Sequence, residues 1–262
     1  MLSRIFKRTK TPPYLAMAEY WVYLKELKAP KQDDVMARMI QNNPFAKSGR
    51  NPIGTKEGLL WSDIRFHMAL ALRDKNSHIF RPDLFEPHVE PDQESLRALS
   101  ESQALVKLRY VSEQPLPDKR HLQFLIYATE AVAELSGSEV VFDLISERLF
   151  APQWLREQLE ADNDGSRREL HLRTIWRCSP SGGTAETLGL QKIGFQELCT
   201  PETMSDHRVV AMQVLELAAE KIWDEGKVEN SLTIEHYGDS FHVLIDPTKK
   251  GPSRARILRE KI

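Results

Sequence analysis

Between residues 103 and 247 the chain alternates strand-like and helix-like patterning, which restricts it to folds that mix sheet with helix. Residues 105–111 alternate with period two, as a half-buried strand does. Residues 121–135 form an amphipathic helical pattern, and Gly137 is placed to cap its C-terminus. Residues 140–145 are an apolar run broken only by Asp143, the pattern of a central strand. Pro152 stands where a helix begins, and residues 154–160 continue it. Residues 170–178 and 184–193 read as strands around a turn at 179–183. The longest predicted helix covers 206–224 and is closed by Gly226, and residues 231–237 and 241–245 flank a hairpin turn at 238–240.

Upstream, Phe66, Met68, Leu70 and Leu72 alternate with smaller or polar residues and predict a strand. Leu15, Ala18, Trp21, Val22 and Lys25 recur at helical spacing, so residues 14–28 are expected to be helical, followed by a short helix over 33–43. Residues 46–55 read as loop, and 78–92, with Pro82, Pro87 and Pro91, as an extended linker. The resulting order suggests two ββαβ units without a shared sequence repeat. The expected class is α+β, a largely antiparallel mixed sheet with helices on one face. The expected domains are a helical N-terminal appendage over 1–45, an α+β domain over 57–247 and a basic flexible tail over 248–262.

Charge is segregated. Residues 1–10 carry four bases and no acid, and residues 248–262 carry six bases and one acid. The body between them holds 26 bases against 37 acids. Basic ends can stay solvated, fold back on the acidic body, or attach to nucleic acid or an anionic membrane. No apolar run approaches the length of a transmembrane segment, and the N-terminus lacks the apolar stretch of a secretory signal. Two cysteines outside any CxxC, Cys178 and Cys199, are expected as reduced thiols in a cytoplasmic protein.

Familiar chemistry is missing from the pattern. There is no GxxxxGK[ST], no GxGxxG after a strand and no GxSxG, so no cofactor site is expected. The eight histidines do not cluster. His236 and His242 flank the hairpin turn, but a tip at Gly238-Asp239 sends them to opposite faces, so no metal site is expected. Asp143 interrupts an apolar strand and needs a partner, for which Arg109 or Arg173 on a neighbouring strand is the expected choice. Cys178 beside Arg177 has no histidine to activate it. Gly189 and Gly194 mark a bending strand or a groove floor against bare backbone. Asp143, Arg173, Gly189 and Gly194 are therefore the candidate functional groove; no catalytic residue is assigned.

The run from His121 to Leu125, Ala131 to Leu135, Val140-Val-Phe-Asp143, Thr187-Leu-Gly-Leu190 and Gly194-Phe-Gln-Glu-Leu198 resembles a group of uncharacterised bacterial proteins. These share a T-x-G-L-x-x-x-G-x-x-[DE]-L segment, and the likeness spans roughly residues 105–224. It implies a bacterial cytosolic protein and carries over no catalytic residue. Together these readings favour a non-enzymatic protein-interaction factor of adaptor, immunity or defence-associated type, whose acidic body suits a basic protein partner. The alternatives are an enzyme whose site the sequence does not reveal, and nucleic-acid or membrane association through the basic termini.

Overall fold

The computed structural model describes residues 14–47, 49–81, 92–249 and 251–259. The chain is α+β, and its largely antiparallel strands divide into two sheets, one in each of two compact units, Met1–Arg167 and Arg168–Ile262. The boundaries expected at 45 and 247 are replaced by this one, because strands from both expected appendages belong to sheet interiors.

The first unit has strands β1 (Ala16–Leu24), β2 (Phe66–Leu72), β3 (Ala104–Ser112), β4 (Val141–Asp143) and β5 (Arg148–Phe150). Their order in the sheet is β2-β3-β1-β4-β5, with every neighbour antiparallel. Its longer helices are α1 (Gln32–Ile40), α2 (Gln93–Glu101), α3 (Arg120–Ser136) and α4 (Pro152–Ala161). The helix expected over 14–28 is instead β1, the middle strand, and all nine of its residues are buried. A strand covered on both faces loses its period-two alternation, so the spacing of its apolar residues imitated a helix.

Trp21 and Tyr23 on one face of β1 pack with Phe80, Leu99, Leu105 and Phe142. The neighbouring positions Tyr20 and Val22 point the other way. Beyond them α3 runs along the sheet, with Phe124 edge-on to Phe66 at 5.0 Å and His121 against Tyr110 at 4.9 Å. Gly137, at φ +60°, ends α3 in the left-handed conformation the sequence predicts, and Pro152 sits at the start of α4. Residues 82–91 of the expected linker lie outside the described residues.

The second unit has β6 (Arg173–Ser179), β7 (Gly182–Leu188), β8 (Leu198–Cys199), β9 (Ser231–His236), β10 (Asp239–Asp246) and β11 (Ser253–Arg259), with one long helix, α5 (Arg208–Glu225). The sheet order is β6-β7-β8-β11-β10-β9, antiparallel except for the β8–β11 pair. α5 packs on β6, β7, β9, β10 and β11 through buried residues such as Val214, Leu215, Ala218 and Ile222. The tail expected to be flexible over 248–262 contains β11, bonded to strands on both sides. Ser253 and Ala255 are buried while Arg254 and Arg256 are exposed, so these two arginines line the solvent face of a strand. Arg256 pairs with Asp246 at 3.2 Å.

Candidate functional site

Three helices of the first unit bring four charged side chains together. Arg38 comes from α1, Glu130 and Glu134 from successive turns of α3, and Arg156 from α4. The i,i+4 spacing puts both carboxylates on one helix face. Glu130 Oε1 accepts from Arg38 at 3.1 Å and from Arg156 at 2.9 Å. Glu134 binds the same two guanidiniums, Arg156 at 3.2 Å. Glu130 is only 2% exposed, and its other oxygen, Oε2, has no hydrogen-bond partner among the described residues. Burial pushes the Glu130 carboxyl above its ordinary range, against the pull of Arg38.

Glu130, Glu134 and Arg156 line an open cleft of about 470 Å³. Its rim carries Asp92, Glu94, Glu139 and Arg97. Glu139 is held by Lys25 at 2.6 Å and Asp92 caps α2 by accepting from the Ser95 N–H. The lining thus has five carboxylates and two guanidiniums, and one oxygen of its deepest carboxylate has no donor among the described residues. Carboxylates in such excess are able to accept bonds from a positively charged donor.

The four residues of the sequence-predicted groove fall in both units. Asp143, fully buried on β4, belongs to the first. Its Oδ1 accepts from the N–H groups of Ile145 (3.1 Å) and Ser146 (3.3 Å), and its carboxylate bonds the Tyr20 hydroxyl from β1. Burial and this neighbour raise the Tyr20 pKa well above its ordinary value. The expected partner Arg109 lies 4.0 Å from Glu19 instead. Backbone amides and the Tyr20 hydroxyl bond Asp143, the arginine opposite it across the strands is Arg148 of β5 rather than Arg109 or Arg173, and Asp143 fastens the β4–β5 turn.

Arg173, Gly189 and Gly194 belong to the second unit. Arg173 opens β6 opposite Leu188. The strand expected over 184–193 ends at Leu188, because Gly189 at φ +121° turns the chain into a 3₁₀ turn, Leu190–Ile193, which Gly194 closes at φ +92°. At Gly189 the close neighbour is the chain itself, for a Cβ there would lie 2.2 Å from the His171 carbonyl oxygen.

Glu197 ties the whole motif together. Its Oε1 accepts from the N–H groups of Gly189 (2.8 Å) and Gln191 (3.0 Å), and its Oε2 from the Thr187 hydroxyl (2.9 Å). Thr187 Oγ1 in turn accepts from the Leu198 N–H at 2.7 Å. Burial pushes the Glu197 carboxyl up to about 7, opposed by these donors. Thr187, Gly189, Glu197 and Leu198 of the T-x-G-L-x-x-x-G-x-x-[DE]-L segment are thus parts of one self-bonded turn. Beneath it Lys192 is fully buried, its Nζ 3.4 Å from His171 Nδ1, and His171 stacks on Trp223.

No family model, curated protein or solved structure matches this chain.

The remaining titratable groups are dispersed. The hairpin turns at Tyr237-Gly238, pairing His236 with Asp239, two residues away from the expected register. His236 Nε2 meets Gln213 Oε1 at 3.0 Å, and His242 Nδ1 meets Thr233 Oγ1 at 3.3 Å on the opposite face. No group of three metal-ligating side chains occurs among the described residues. Cys178 is exposed, and Arg177 beside it is engaged by Glu186. The Cys199 thiol is half-buried and pushed up by burial.

The Glu130 site is nearly invisible in the sequence. Arg38 and Arg156 are 92 and 26 positions from Glu130. The only local signal is an acid amid the apolar stretch Leu125 to Val132.

Proposed function

We propose that the chain is a protein-interaction factor whose first unit takes a lysine or arginine side chain of a partner protein into the cleft above Glu130. The supporting observation is the buried, half-satisfied Glu130 carboxylate, with further carboxylates around it. An ammonium or guanidinium entering the cleft supplies the donor that Oε2 lacks and gains the charge-assisted bond. The rim carboxylates Glu94 and Glu139 steer it there. Arg38 and Arg156 already neutralise the inner carboxylates, so the excess negative charge that draws a cation lies on the rim, on Asp92, Glu94 and Glu139.

The test uses the full chain and a set of lysine- and arginine-containing peptides, each paired with its glutamine-substituted counterpart. Binding is followed by microscale thermophoresis. Basic peptides are expected to bind in the micromolar range, with affinity falling tenfold or more in Glu130→Gln and in a Glu94→Lys/Glu139→Lys double variant. The reading fails if the glutamine peptides bind equally well, or if Glu130→Gln folds normally and binds basic peptides unchanged. Affinity capture from the native cell, wild type against Glu130→Gln, then identifies the partner that depends on this site.

A further inference from the structure

Four strands form the edges of the two sheets, and three of them resist pairing with another chain. β5 is only three residues long and starts with Arg148. β6 carries Arg173 and Arg177. β9 carries Glu235 and His236. Short length and charge are the devices by which natural edges avoid association. β2 has neither. It is seven residues long, Phe-His-Met-Ala-Leu-Ala-Leu, with no charged residue apart from the titratable His67 and no proline. The stretch leading into it also exposes Leu59 and Ile64, and Leu70 within it is 45% exposed.

The ladder shows which groups on β2 are open. β2 pairs with β3 so that Phe66 lies opposite Tyr110 and Leu72 opposite Ala104. The flanking bonds, Val111 N–H to Arg65 C=O and Arg73 N–H to Gln103 C=O, set the alternation. Odd-numbered residues bond to β3, and even-numbered residues direct their N–H and C=O away from it. Phe66 spends its N–H on Asp63 C=O, and Leu72 C=O accepts from Asn76. Met68 and Leu70 keep both outward groups open among the described residues.

We propose that β2 is a self-association edge: two copies of this chain join their five-stranded sheets through antiparallel β2–β2 pairing about a dyad at Ala69. The occupant is a second copy because the edge is complementary to itself. About Ala69, Met68 meets Leu70 of the other copy and Phe66 meets Leu72, so the outward groups of Met68 and Leu70 exchange bonds twice. Large apolar side chains meet large ones on one face. On the other face Ala69 meets Ala69 and His67 meets Ala71, and at each end Arg65, bonded to Asp63, comes opposite Arg73, bonded to the Ser102 and Leu99 carbonyls. The result is a continuous ten-stranded sheet, built by strand addition.

The full chain is examined by sedimentation equilibrium and by cross-linking. Wild type is expected to dimerise at micromolar concentration. Leu70→Pro removes only an outward N–H, leaving the β2–β3 ladder intact, and is expected to give a folded monomer. Met68→Lys is expected to do the same, by placing two like charges beside the dyad. In a Cys178→Ser background, Ala69→Cys is expected to form a disulfide-linked dimer under mild oxidation, because non-hydrogen-bonded antiparallel pairs lie about 4.5 Å apart at Cα, within disulfide range. A wild type that stays monomeric at 100-fold higher concentration overturns the proposal. So does a dimer that both Leu70→Pro and Met68→Lys leave intact while circular dichroism shows native structure. A dimer that is lost in those variants but not captured through Ala69→Cys overturns the register.

Discussion

At the scale of single residues, Glu197 and Gly189 dominate the second unit. The Glu197 carboxyl, at about 7 in the folded chain against 4.5 ordinarily, keeps a proton that the unfolded chain releases. Its contribution is therefore fully present below about 4.5 and is lost as pH rises through about 7. Thermal unfolding followed by circular dichroism should show this loss, about 3 kcal/mol at most, and Glu197→Gln should flatten it. A stability that rises between those pH values would contradict the assignment. Glu197→Ala strands two backbone N–H groups and a hydroxyl, at about 1 kcal/mol or more each, measurable by urea denaturation. Gly189→Ala combines a positive φ with a Cβ 2.2 Å from a backbone oxygen, so it should cost about 3 kcal/mol or more or prevent folding of the second unit. Gly226→Ala, where a Cβ meets nothing within 4 Å, should cost only about 1 kcal/mol by the same measurement. The sequence marked Gly189 and Asp143 as unusual but not the full reason, because the His171 carbonyl that crowds Gly189 and the Tyr20 hydroxyl that bonds Asp143 are remote in sequence.

At the scale of elements, legibility followed the spacing of polar residues. α4 and α5 each expose one face, and their helical stripe is plain in the sequence. β3 and α3 are mostly buried, but Lys107 and Arg109 keep the alternation of β3, and Gly137 marks the end of α3. β1 exposes no residue. Its clue was composition rather than spacing, since Tyr20, Trp21, Val22 and Tyr23 stand in succession and favour a strand. β11 was hidden by charge, because its three arginines suggested a solvated end, although Ser253 and Ala255 kept the alternation of a half-buried strand. A charge introduced at Ala255, which is fully buried, should therefore cost about 3 kcal/mol or more, whereas Arg254→Ala should change stability by about 0.5 kcal/mol or less. Chemical denaturation of the two variants separates a strand from a solvated tail, which would tolerate both.

For the whole molecule, the two units each hold a sheet and a helix packed on it, so each has a core of its own. Fragments 1–167 and 168–262 should therefore each unfold cooperatively when expressed alone, as judged by circular dichroism against temperature. A fragment 168–262 without a cooperative transition would mean that the unit borrows its stability from elsewhere in the chain. The charge segregation is a weaker guide to the molecule than its amount suggests, since β11 absorbs three of the bases near the C-terminus and Arg256 is answered by Asp246.

The position of β11 also sets the order in which the second unit can be assembled. It lies between β8 and β10 and bonds to both, so the ladder is continuous only once residues 253–259 are in place. Before then a growing chain holds two separate sheet pieces, β6-β7-β8 and the β9–β10 hairpin, each with an unpaired border and joined only through α5, which packs on strands of both. Their ladders meet only when a contact across more than fifty residues is made, and such distant closures are slow. While the chain is being synthesised, the sheet of this unit therefore keeps open borders until residues 253–259 emerge.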